Sequence, residues 1–185
     1  MKKRAWRKAG LIILTLTLCL SAMSGVFAEG EGTSAGISGN TQTLYHLGLM
    51  ELWQDSYVVT RGDAARVFAR MVYPENLPKT GDSGYFDVAG NMAASDAVRI
   101  LADMGYIAED RYYNPLLPAT GRDIAGLFAG GIMGYGKSGE DSWQTAVRLG
   151  LTQGIGPEEE VTAAGLSGII CRGLSLIHIS EPTRP

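Results

Sequence analysis

The chain has 185 residues, 45% hydrophobic and 19% charged, with sixteen basic side chains against nineteen acidic ones. Between residues 29 and 173 the balance is ten against eighteen, a net charge of −8, and an acidic surface with no basic cluster argues against nucleic acid or anionic lipid as partner. Two cysteines, Cys19 and Cys171, with the first in the leader described next, leave no internal disulfide framework, so packing must hold the rest together.

Lys2, Lys3, Arg4, Arg7 and Lys8 precede an apolar run from Leu11 to Leu20, and small residues follow up to Val26-Phe27-Ala28. This is the layout of a secretory signal peptide over residues 1–28, cleaved after Ala28. The run falls short of the about 20 apolar residues that a membrane span needs, and Leu18 stands before Cys19 where a lipid-attachment signal carries a small residue. The expectation is a secreted protein that keeps no membrane segment after cleavage. Residues 29–40 are rich in Gly and Ser with few apolar side chains, which predicts a flexible leader, with folding starting near Thr41.

From there one block occurs three times. Each copy has an apolar stretch ending at a glycine, a loop, a threonine, and apolar residues four, seven and eight places later. The copies run Gly48, Thr60, Ala64, Val67, Phe68; then Gly105, Thr120, Ile124, Leu127, Phe128; then Gly150, Thr162, Leu166, Ile169, Ile170. A repeat of roughly 45 to 60 residues marks a protein whose units bury their open faces on one another, so any function is expected between copies. Ala97, Leu101 and Met104 lie on one helical face, and Gly105 supplies the left-handed turn that ends such a helix. Gly48 and Gly150 have the same place in the other copies. The second helix of each copy opens at the threonine. Asp63 and Asp123 stand three residues after Thr60 and Thr120, the pattern of a reciprocal capping box, whereas Thr162 has Gly165 there and keeps only the cap. The two helices of each copy are expected to pair, with Phe68, Leu101, Leu127, Phe128, Leu166 and Ile169 in a common core. Residues 73–83 and 134–139 read as linkers.

At the other end, residues 174–185 begin Leu174-Ser175-Leu176-Ile177-His178-Ile179-Ser180. This segment resembles the in-frame translation of a transposase sequencing adaptor. The expectation is that it belongs to no repeat and that the third copy is cut near Gly173.

Tyr85-Phe86-Asp87-Val88, the helix through Gly105-Tyr106-Ile107, the loop Tyr113-Asn114-Pro115 and the helix opened by Thr120 resemble an S-layer homology domain. Copy one, from Thr43 to Val72, carries Thr60-Arg61-Gly62-Asp63 in the position of that family's Thr-Arg-Ala-Glu signature, and copy three spans Asp141 to Gly173. The resemblance implies an all-α fold of tandem helix-loop-helix repeats in a pseudo-threefold arrangement: residues 41–84, 85–135 and an incomplete 136–173. It also implies a non-catalytic anchor of the bacterial cell surface, binding pyruvylated secondary cell-wall polysaccharide in grooves between copies. A ketal-linked pyruvate is a carboxylate, and an arginine at a helix N-terminus offers both a fork of donors and the helix dipole.

Arg61 fills the family's arginine position. In copy two Gly121 follows Thr120 and the arginine slides to Arg122, a rotation of about 100° around the helix, while copy three has Ala163. One groove is therefore expected intact, one altered and one silent. Thr60, Asp63 and Asp123 are drawn in as caps beside the arginines, and Trp53 and Trp143 as rings on which a pyranose face could stack. Asp87 is expected to hold the start of the first helix of copy two, and Tyr85, Tyr106, Tyr112 and Tyr113 to serve in packing. Cys171, within an apolar stripe, reads as a buried structural thiol. No catalytic group, metal site or cofactor is assigned. His46 has no nucleophile or orienting partner at a recognisable spacing, and Glu158-Glu159-Glu160 lacks the alternating ligands of a calcium loop. Two other readings are compatible with these residues: a degenerate repeat module that spaces or contacts proteins without binding sugar, and the leading part of a secreted hydrolase.

Overall fold

The computed structural model describes residues 36–73, 77–79, 81–108, 110–135 and 141–180. The signal-peptide segment and residues 29–35 lie outside the described residues, as do parts of both linkers. Among the described residues the fold is all-α, with six α-helices and no strand. In chain order they are α1 (Gly39–His46), α2 (Arg61–Val72), α3 (Ser95–Asp103), α4 (Gly121–Ala125), α5 (Ser142–Arg148) and α6 (Ala163–Ser180), with α4 running on into a π-helical stretch, Gly126–Ile132.

The fold begins earlier than the composition suggests. Ser38 caps α1 by accepting from Thr41 N at 3.4 Å, and Asp55 N reaches back to Gly36 O at 2.8 Å. Residues 36–40, assigned to the leader on composition, therefore belong to the folded unit. α1, α3 and α5 each stop two residues before a glycine in the left-handed region: Gly48 (φ +70°), Gly105 (+74°) and Gly150 (+69°). A side chain disfavours that conformation, and glycine does not.

The loops leading into α2, α4 and α6 close a ring of backbone hydrogen bonds. Val59 N donates to Val161 O (2.9 Å), Val161 N to Ala119 O (2.8 Å), and Ala119 N to Val59 O (2.8 Å). The first amide of each helix donates to a carbonyl in the loop of another segment: Arg61 N to Leu117 O, Gly121 N to Glu159 O and Ala163 N to Tyr57 O. The second amide repeats the pattern, from Gly62 to Pro115, Arg122 to Pro157 and Ala164 to Asp55. The third is taken by the cap threonine, since Thr60, Thr120 and Thr162 Oγ1 accept from Asp63, Asp123 and Gly165 N. A helix N-terminus leaves its first amides without intrahelical partners, and here three helices satisfy them on each other's loops. Both capping boxes form, and Thr162 keeps its cap without the box.

Helix pairing crosses between copies. α2 packs on α3, α5 on α4 and the π-helical stretch, and α1 on α6, so the first helix of each copy lies on the second helix of another. The expected pairing within each copy is corrected by these contacts. All six expected core residues are buried, and the Phe68 and Phe128 rings meet in the core with centroids 6.0 Å apart.

α6 carries a further correction. It runs through residues 174–180, and Leu174 is 2% exposed within the core cluster. Leu174 falls four residues after Ile170 and eight after Leu166, on the same stripe. The helix meets no stop signal at Gly173, so a segment set aside as belonging to no repeat continues the buried face. Gly173 itself lies so close to the Phe128 ring that a Cβ there would collide with it.

Candidate functional site

A cavity of about 200 Å³ opens between the segments of copies one and two. Arg61 and Ala64 of α2 form one wall, Tyr106 to Ala108 after α3 a second, and Arg122, Asp123 and Leu127 a third, with Tyr113 between them. The loops around the ring of bonds frame it, since Arg61 N at the start of α2 donates to Leu117 O of copy two at 2.9 Å.

Tyr113 is the pivot. Its hydroxyl donates to Arg61 O at 2.9 Å, and the Arg61 guanidinium carbon lies 5.0 Å from the ring centroid, within cation–π range. Asp87 fixes this tyrosine by accepting from Tyr113 N (2.9 Å) and Asn114 N (2.6 Å). Asp87 therefore holds the loop before α4, not the start of α3 as expected. Tyr85 packs in an edge arrangement with the Tyr113 ring, centroids 5.8 Å apart. Burial pushes the Tyr113 phenol well above its ordinary range, so it stays a neutral donor.

The Arg61 guanidinium is under-used. Its Nη2 is 3.8 Å from Asp123 Oδ1, beyond hydrogen-bond reach, and its buried Nε has no partner. The other oxygen of Asp123, Oδ2, accepts from Thr120 N and Thr120 Oγ1, both at 3.0 Å, so this carboxylate caps α4 and faces Arg61 only as a loose ion pair. Arg122 lines the same cavity while its Nε pairs with Glu158 Oε1 at 3.1 Å on the exposed rim. The one-residue slide has thus moved Arg122 into the groove of Arg61, and an exposed pair of this kind contributes little to stability. Burial also raises the phenol of Tyr106, on the second wall.

The bonds of the ring make other positions equivalent. Where Arg61 stands, the other segments place Gly121 and Ala163; where Tyr113 stands, two residues before the carbonyl that receives the second amide, they place Ile155 and Trp53. Among these three the arginine and a tyrosine coincide once. Gly121 has Gly156 O, Trp143 and Ile155 against it, with no room for a Cβ. Trp143 is only 8% exposed, so its proposed role as a stacking surface is corrected: the indole fills the place that an arginine side chain would need. Trp53 is half-buried and tilted against Tyr57 at 5.1 Å. Thr60 and Asp63 belong to the cap, where Asp63 also accepts from Tyr57 Oη at 2.9 Å and lies 3.7 Å from Arg66. Of the seven expected site residues, the fold brings Arg61, Arg122 and Asp123 to one groove and leaves Thr60, Asp63, Trp53 and Trp143 outside its walls.

The sequence reading missed Tyr113 and Tyr106 as groove residues. The aromatic two places before Pro115 was the available signal, since the same position in copy one is Trp53. His46 is exposed in the last turn of α1 beside Tyr45. Among the described residues no cluster of His, Cys, Asp and Glu could hold a metal ion, and no helix is long and apolar enough to cross a membrane. No protein-family model and no curated protein matches the chain.

Proposed function

We propose that the chain is a non-catalytic anchoring module of a secreted bacterial surface protein, and that its Arg61 groove takes the carboxylate of a pyruvylated secondary cell-wall polysaccharide. The observation that carries this reading is the buried, unpartnered Nε of Arg61 in an open cavity. Buried polar groups are nearly always satisfied, and a guanidinium prefers a planar, bidentate acceptor such as a carboxylate. The resemblance of Thr60-Arg61-Gly62-Asp63 and of copy two to S-layer homology repeats supports the same ligand. So does the closed ring of loops, which is what three tandem copies around a pseudo-threefold axis require.

The test is co-sedimentation of the protein with bacterial sacculi that retain their pyruvylated polymer, against sacculi stripped of it. Binding is expected only to the first. Arg61→Ala removes a charge-assisted bond worth about 1.5 to 3 kcal/mol, so binding weakens by one to two orders of magnitude. Equal binding by Arg61→Ala and wild type refutes the mechanism. A second reading, a spacer or protein-contact module without sugar affinity, is favoured by Gly121 and Ala163 at the two positions equivalent to Arg61, and it stands if wild type ignores both preparations.

A further inference from the structure

Two aromatic dipeptides, Tyr85-Phe86 and Tyr112-Tyr113, are drawn together where Phe86 N donates to Arg111 O at 3.0 Å and Asp87 clamps Tyr113 and Asn114. They separate into an inner and an outer pair. Tyr85 and Tyr113 are 7% and 4% exposed and meet edge to face. Phe86 and Tyr112 are 82% and 58% exposed, with ring centroids 6.1 Å apart and planes tilted by 41°. The inner pair supports the groove. The outer pair is mostly in water and gains little from burial, yet the same backbone bonds fix the chain that carries it.

We propose that Phe86 and Tyr112 form a stacking subsite for one uncharged pyranose ring of a glycan, just outside the Arg61 groove. This rests on reading that groove as a polysaccharide site. Three observations select a sugar as the occupant. An aromatic side chain buries about 150–250 Å² at most, so two rings offer well under the about 800 Å² per partner of a stable protein interface, while one pyranose needs no more than they give. The backbone that carries both rings is fixed by the bond from Phe86 N to Arg111 O and by the Asp87 clamp on Tyr113 and Asn114, so no loop has to be ordered on binding. Tyr112 also directly precedes Tyr113, which lines the groove, so the pair stands one residue along the chain from the charged site and a polymer of several units can engage both.

The charge balance gives the subsite a purpose. Residues 29–173 carry a net charge of −8 and the polymer is itself anionic, so long-range electrostatics oppose their approach. A stacking contact adds affinity that neither depends on charge nor weakens with salt, whereas the contribution of Arg61 is screened.

The experiment is calorimetric titration of the full chain with two probes: a methyl pyranoside carrying a ketal-linked pyruvate, and the purified pyruvylated polysaccharide. The double variant Phe86→Ser, Tyr112→Ser is expected to melt like wild type, to bind the single pyranoside unchanged, and to bind the polymer roughly tenfold more weakly, the scale of one stacking contact. Phe86→Trp with Tyr112 intact is expected to keep polymer binding at wild-type strength or above. Arg61→Ala weakens both probes, which separates the two sites. If wild type binds the pyranoside but the double variant binds polymer as well as wild type, the subsite is refuted and the groove stands. If wild type binds neither probe, the groove reading fails, and the pair is then judged on polymer stripped of its ketals: shifts of the Phe86 and Tyr112 ring protons uphold the subsite, and unshifted resonances overturn it. Dimerisation of wild type that the double variant abolishes would put a second copy of the chain on the rings and also overturn it.

Discussion

The guanidinium of Arg61 lies over the ring of Tyr113, 5.0 Å from its centroid, and the Tyr113 hydroxyl donates to the carbonyl of that same arginine across 52 positions of chain. One residue thus positions both the backbone and the side chain of the groove's cation. Tyr113→Phe keeps the ring and deletes the hydroxyl, and is expected to cost about 1 kcal/mol in urea denaturation while polysaccharide binding stays within a few-fold of wild type. Tyr113→Leu removes the ring as well and is expected to lose binding in addition. If the two variants bind alike, the ring does not orient Arg61.

The last helix offers a second check. Leu174 lies on the stripe of Leu166 and Ile170 and is buried, so Leu174→Ala is expected to cost about 2 to 5 kcal/mol, the range for a core leucine. Deleting residues 174–185 is expected to lower the melting temperature for the same reason. A truncated chain that melts like the full one would show that α6 draws no stability from beyond Gly173.

Glycine substitutions separate contact from conformation. A Cβ on Gly121 would run into the carbonyl of Gly156 and the Trp143 ring, whereas one on Gly126 meets nothing within 4 Å. Gly121→Ala is expected to destabilise by more than about 1 kcal/mol through this overpacking. Gly126→Ala, in a helical conformation (φ −60°), is expected to stabilise by up to about 1 kcal/mol because alanine loses less backbone freedom on folding. Comparing urea midpoints decides it, and equal shifts for the two would contradict the close approach at Gly121.

Cys171 gives a pH dependence. Burial pushes its thiol up to about 11 from an ordinary value of 9.0, with the Arg172 charge opposing the shift. The folded state therefore holds the proton more tightly than the unfolded state. Its stabilising contribution is complete below about pH 9 and is lost as pH rises toward about 11. At pH 8 alkylation by iodoacetamide is expected to be slow in the native protein and fast in urea, since the thiolate is the nucleophile. Rapid native alkylation at that pH would place the thiol in water instead.

Local features were legible because their causes are local. A threonine with an aspartate three residues on forms a capping box wherever a helix follows, as Thr60 and Thr120 do, and a glycine after an apolar stripe ends the helix, as Gly48, Gly105 and Gly150 do. The apolar spacing that placed Phe68 and Phe128 in the core rests on the helical period alone. What the sequence did not determine depends on partners far along the chain. Whether a tryptophan is a platform or a filler depends on the glycine opposite it, which for Trp143 is Gly121. Whether two arginines share a groove depends on the ring of bonds through Val59, Ala119 and Val161, and no spacing within one copy encodes that closure. The helix partners were decided in the same way: an apolar stripe states that a face must be buried, but its period does not say against which helix, and only the closed ring of loops set α1 on α6 and α3 on α2.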